Sequence, residues 1–156
     1  VEDTLRIRRF VEDQKPKTAV LAGGGFIGLE MAENLVEMGV SVTIVQRPKQ
    51  LLAPLDTDMA SFVHAEMRRH GVALRLGETV TGFRQDRDSV LTLLEESEPL
   101  RSDMVLLAMG FLRPTQPQFP ANVFVAGDAA NGASLVVRAL ASGRDIAAKV
   151  DDYLNK

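Results

Sequence analysis

The stretch "VLAGGGFIGLEMAENLVEMG", Val20–Gly39, decides how this chain folds. An apolar run leads into three glycines, and a helical run follows at once. Gly23, Gly25 and Gly28 have the spacing G-x-G-x-x-G. The first glycine permits a tight turn after a strand. The second has no Cβ, so a diphosphate can approach the backbone. The third lets helix and strand pack closely. The helix N-terminus adds unpaired N–H groups and about half a positive charge. The spacing alone is a weak signal, and the strand before and helix behind make it strong. Gly39 is a natural stop for the helix.

Working outward, "TAVLA", Thr18–Ala22, suits a buried strand, and "SVTIVQ", Ser41–Gln46, is a second strand rich in β-branched residues. Asp56 or Thr57 can cap a helix reaching His70, with Met59, Phe62, Val63, Glu66 and Met67 at helical spacing. "VALRL", Val72–Leu76, is a third strand. Upstream, "TLRIRRFVEDQ" reads as an amphipathic helix carrying Leu5, Ile7, Phe10 and Val11, stopped by Pro16. This alternation predicts an α/β fold, a Rossmann-type doubly wound parallel sheet.

The pattern then changes. "TVTGFRQ", "SVLTLLEE" and "LRSDM" are short runs with turn residues between them. They predict a small antiparallel meander in place of a crossover helix, giving three layers, ββα. "MVLLAMG", Met104–Gly110, returns to a parallel-type strand, and "FLRPTQPQFPAN" carries three prolines. "NVFVAGD", Asn122–Asp128, reads as another strand and Ser134–Tyr153 as a last helix. The expected organisation is a dinucleotide-binding domain over 1–110, a proline-rich linker over 111–121, and a strand and helix over 122–156.

Composition sets the limits. The chain has 156 residues, 46% apolar and 25% charged, which is a globular composition. Net charge is -3 with both signs scattered, so no basic face points to nucleic acid. No apolar run approaches a membrane span, Val1–Phe10 is charged, and the expected location is the cytoplasm. The chain has no cysteine, which excludes disulfides, zinc–thiolate sites and thiol redox chemistry within it. His64 and His70 lack metal-ligand spacing and Ser134 has no base at motif spacing, so no metal ligand or catalytic residue is assigned.

An acidic residue about 20 positions past the first glycine grips the ribose hydroxyls in NAD sites. Gln46 stands there, followed by Arg47, with Lys49 near. A neutral amide does not repel a 2′-phosphate, and two cations attract one. This tilts the expectation toward NADPH, or toward weak discrimination. Solvated loop charges are the competing reading of Arg47 and Lys49.

"GGGFIGLEMAENL", "GVSVTIV", "DTDMASFVHAEMRRHGV" and "LRLGETVTGF" together resemble the pyridine-nucleotide domain of the flavin-dependent disulfide oxidoreductases. The flavour is that of the NADH oxidase and coenzyme A-disulfide reductase branch, and the lead-in "DTLRIRRFVEDQKPKTAV" fits it. The tail, "DMVLLAMGFL" with "NVFVAGDAANGASLVVRALASGRDIAAKVDDYL", resembles the end of the family's FAD domain, most like the glutamate synthase small subunit. The resemblance implies an NAD(P)H site with hydride transfer from nicotinamide to FAD. It implies that Phe26 covers the flavin face, with Ile27 beside it, and that Glu30 lies near the nicotinamide end. It implies that Ala108 and Gly110 close the nucleotide cleft. It places Gly127 and Asp128 at the FAD ribityl and phosphate region.

The resemblance is incomplete. Family members open with their own FAD-type glycine fingerprint, and this chain has only the second one. The expectation is a fragment, a truncated homologue or an engineered chimera that binds FAD weakly or not at all. Its partner is then a dinucleotide, with a homodimer or a separate FAD-domain chain as the protein partner. A non-catalytic dinucleotide sensor and a scaffold that binds nothing stay open as rival readings.

Overall fold

A computed structural model describes residues 2–110, 115 and 117–155. Part of the predicted linker, 111–114 and 116, lies outside the described residues. The chain divides into two compact units, Val1–Gly110 and Phe111–Lys156.

The first unit runs α1 (Glu2–Gln14), β1 (Thr18–Ala22), α2 (Phe26–Glu37), β2 (Ser41–Gln46), α3 (Thr57–Arg69) and β3 (Ala73–Leu76). It continues with β4 (Val80–Asp86), β5 (Ser89–Leu94), β6 (Leu100–Ser102) and β7 (Met104–Leu107). A parallel sheet has the order β3-β2-β1-β7, and a three-stranded antiparallel sheet the order β4-β5-β6. Val20 sits opposite Thr43 on one side and Val105 on the other, which fixes the register at the sheet centre.

Alternation along the strands sorts side chains between two layers. Ala19, Leu21, Val42, Ile44 and Met104 face the helices, where Ala32 and Leu35 of α2 and Val11 of α1 close a buried core. Val20 and Val45 face the other way and meet Leu94 of the meander, with Val80, Leu100 and Val105 packed around them. Helices therefore cover one face of the parallel sheet and the meander covers the other. The expected three-layer α/β architecture is present.

Two helices turn differently from the simplest reading of their sequence. In α3 the buried residue is Ala60, with Val63 and Met67 packed on the core, while Met59 and Phe62 face solvent. Thr57 does not cap the helix and bonds Gln50 instead, and Asp56 holds the N-cap position without a side-chain bond. In α1 only Val11 is buried, with Ile7 partly so.

Asp103 pins the start of β1. Its Oδ2 accepts from Lys17 N at 2.7 Å, Thr18 N at 2.9 Å and Thr18 Oγ1 at 3.0 Å. These backbone and hydroxyl donors, with the nearby Lys17 charge, hold its carboxyl below the usual aspartate range.

The second unit corrects one expectation. Residues 122–126 form no strand, and α4 (Gly127–Asn131) begins where that strand was expected to end. A strand is stable only with a neighbour to satisfy its N–H and C=O groups, and no described strand pairs with this segment. The last helix, α5 (Val136–Leu154), starts two residues later than read, with Leu135 extended at its N-cap.

Candidate functional site

The site is the bend between β1 and α2. Gly23 N donates to Val45 O at 2.9 Å, tying the end of β1 to β2. Gly23 has φ +116°, and a Cβ there would run into the Ala108 carbonyl. A Cβ on Gly28 would run into the Gly23 carbonyl. Both glycines are thus demanded by the chain's own packing.

Gly25 is different. Its φ of -83° and ψ of -174° are open to any residue, and a Cβ there would meet nothing within 4 Å. Neither conformation nor internal packing calls for glycine. Gly25 is the N-cap of α2 and offers no side-chain cap. The first intrahelical bond runs from Leu29 N to Gly25 O at 3.0 Å. The amides of Gly25, Phe26, Ile27 and Gly28 meet no acceptor among the described residues. A row of bare donors at the positive end of a twelve-residue helix attracts an anion.

A second set of residues fixes this bend. Gly24 N donates to Gln46 Oε1 at 2.8 Å, and Gly24 O accepts from Leu52 N at 2.9 Å. The fully buried Leu51 lies beneath, where a Cβ on Gly24 would strike it. Leu51 N in turn donates to His64 Nε2 of α3 at 3.0 Å. That bond needs a neutral imidazole. Burial, and then the Arg68 charge, push the His64 pKa down and favour that form. Leu52 adopts φ +47°, a strained conformation for a leucine, to deliver its amide to Gly24.

The order β3-β2-β1-β7 places β1 between strands that leave it in opposite directions, so the crevice at their carboxyl ends is a topological switch point. Ala108 N donates to Ala22 O at 2.8 Å and holds the β7 end against the bend. Gly110 follows at φ +94°. Phe26 is 66% exposed and Ile27 52%, although both are large and apolar. Glu30 is exposed one turn further along α2.

The structure thus brings Gly23, Gly25, Phe26, Ile27, Gly28, Gln46 and Ala108 to one bend. Gln46 serves there as a clamp on Gly24. Arg47 follows it, exposed. Gly127 and Asp128 belong to the second unit. Gly127 N donates to Ser142 Oγ at 3.0 Å, and the exposed Asp128 accepts from Ser134 at 3.4 Å. Leu51, Leu52 and His64 are parts of the site that the glycine spacing does not announce. Their one signal is a leucine pair inside a polar, proline-flanked loop.

The family model for pyridine nucleotide-disulphide oxidoreductases matches residues 3–120. This chain belongs to that family. The NAD(P)H sulfur oxidoreductase (CoA-dependent) of Pyrococcus abyssi is 34% identical over 109 residues, 69% of this chain and 24% of that protein. A crystal structure of reduced CoADR-RHD from Bacillus anthracis superposes with a TM-score of 0.67 at 35% identity, covering 89% of this chain and 23% of that one. The water-forming NADH oxidase from Lactobacillus brevis, solved with NADH, gives a TM-score of 0.61 at 30% identity over 69% of this chain and 24% of that one. The chain spans about a quarter of the length of these pyridine nucleotide-disulphide oxidoreductases. No helix among its described residues is long and apolar enough to cross a membrane.

Proposed function

We propose that residues 1–110 form the NAD(P)H-binding module of a flavin-dependent oxidoreductase. The coenzyme diphosphate rests on the bare amides at the start of α2. The observation that carries this is Gly25, a glycine that nothing inside the chain requires. A Cβ there projects into open space, which is where a phosphate would make its closest approach. The exposed Phe26 and Ile27 offer an apolar surface for a ring system, and Glu30 sits one turn on. Ala108 and Gly110 line the far side of the crevice. The cysteine-free, charged chain fits the cytoplasm.

The residues present do not fit FAD. A flavin diphosphate needs its own glycine cradle, and the Gly127 amide is already committed to Ser142. Residues 122–156 are read as the remnant of an FAD domain joined through 111–121. That same observation favours a second reading, a dinucleotide sensor without chemistry. The flavin spectrum and diaphorase activity of the purified chain separate the two.

Calorimetric titration with NADH and NADPH tests the main reading. Gly25→Val should weaken coenzyme binding at least about tenfold, or about 1.4 kcal/mol, with the urea midpoint unchanged. Equal binding by the variant, or no binding of either coenzyme by the unaltered chain, overturns it.

A further inference from the structure

We infer that Asn131 is a modification site, where the chain deamidates without an enzyme and thereby releases α4 from α5. The residue that follows it decides this. Of the four asparagines, Asn34, Asn122 and Asn155 precede Leu35, Val123 and Lys156, and only Asn131 precedes a glycine. Deamidation begins when the backbone nitrogen of the next residue attacks the side-chain amide carbon. A side chain on that residue obstructs the approach, and Gly132 has none.

The step balances without an oxidant or a reductant. Gly132 N gives its proton to solvent and bonds to Asn131 Cγ, and the Cγ–Nδ2 bond breaks as ammonia leaves. Water then opens the cyclic imide at either carbonyl, which leaves aspartate or its β-linked isomer.

The fold holds this reaction back with a few short-range ties. Gly132 N donates to Asp128 O at 2.8 Å, which keeps the nucleophile occupied at the helix end. Asn131 Nδ2 donates to Gly127 O and to Ser142 Oγ, both at 3.2 Å, which holds the leaving group in place. These ties secure little more than one turn, since α4 has five residues and Asn131 is exposed. So short a helix opens locally far more readily than a core strand. Attack takes place from the open form, so the rate of conversion reports the opening of α4.

Conversion also acts back on the fold. Ser142 Oγ accepts from Gly127 N at 3.0 Å as well, so both ends of α4 are tied to α5 through one hydroxyl. A carboxylate at position 131 has no donor for Gly127 O. It also sets a second negative charge three residues after Asp128, at the negative end of the helix. The modified chain therefore favours the open form.

Peptide mapping by mass spectrometry, on the full chain aged in mildly alkaline buffer, tests this. Asn131 should convert at least about tenfold faster than Asn34, Asn122 or Asn155. Ser142→Ala removes one tie and should speed that conversion about threefold. Asn131→Gln, whose longer side chain closes a less favourable ring, should abolish the mass change in this peptide. Asn131→Asp should raise amide exchange across α4 about tenfold and leave β1 and β2 unchanged. Conversion of Asn131 no faster than that of the other asparagines, or insensitive to Ser142→Ala, overturns the site and its latch. Unaltered exchange in Asn131→Asp overturns the release of α4.

Discussion

The two units of this chain are built from similar-looking sequence and end in different physical states. The first wraps a four-stranded sheet on both faces, and residues such as Leu21 and Ile44 are wholly buried. The second has one buried residue among those described, Gly132. Along its nineteen-residue helix α5, Val136, Val137, Leu140 and Leu154 are 65–75% exposed. An amphipathic pattern is an offer to pack, and the offer stabilises nothing until another surface takes it up. What holds the second unit is local: an edge-to-face pair between Phe124 and Tyr153 at 5.6 Å, and hydrogen bonds from Gly127 and Asn131 to Ser142.

Amide hydrogen exchange should show the widest gap. Val20, Leu21, Ile44 and Val45 should be protected on the order of a thousandfold more than the amides of α5, since core strands open only with global unfolding. Protection of α5 to the level of β1 would break the comparison.

Glycine replacements should separate the units by kilocalories. Gly23→Ala forces a Cβ against the Ala108 carbonyl at φ +116° and should cost about 2–4 kcal/mol in urea denaturation. Gly143→Ala within α5 meets nothing within 4 Å and should instead favour the helix by about 0.5–1 kcal/mol, read as added helicity.

A smaller effect sharpens the picture at the sheet edge. Asp103→Ala strips the acceptor from Lys17 N and Thr18 N and should destabilise the first unit by about 1–3 kcal/mol. The sign with pH follows from a folded pKa that is lowered. The stabilisation is complete above the ordinary aspartate pKa of about 4 and is lost as pH falls through the depressed value. Urea midpoints of the two proteins should therefore converge in acid. A gap that stays constant down to pH 2 would remove the carboxylate from the account.

The βαβαβ half was legible in the sequence because its determinants are local. Gly23 and Gly28 are dictated by contacts within a few residues or with the adjacent strand, and β-branched runs such as "SVTIVQ" mark the strands themselves. The meander was legible from turn residues around Asp86–Ser89. The "NVFVAG" stretch misled because an apolar, β-branched run records a preference, and the neighbour that realises it is not written in the run. Gln46 was found by counting from Gly23, yet its bond to Gly24 depends on a rotamer that no count reveals. His64 was weighed as a metal ligand because residue type was all that could be weighed. Its real partner, the Leu51 amide, is a backbone group and leaves no trace in side-chain identity.

That imidazole ties the stiffness of the glycine bend to proton concentration. Leu51 N needs a lone pair on Nε2, and a protonated ring has none to give. Above about pH 6.5 folded and unfolded rings are both neutral and the latch holds in full. Acidification below that charges the unfolded ring first, then the folded one, and the support under Gly24 gives way. A helix outside the bend thereby makes the rigidity of the Gly23–Gly28 turn answer to acidity, although the turn itself carries no titratable side chain.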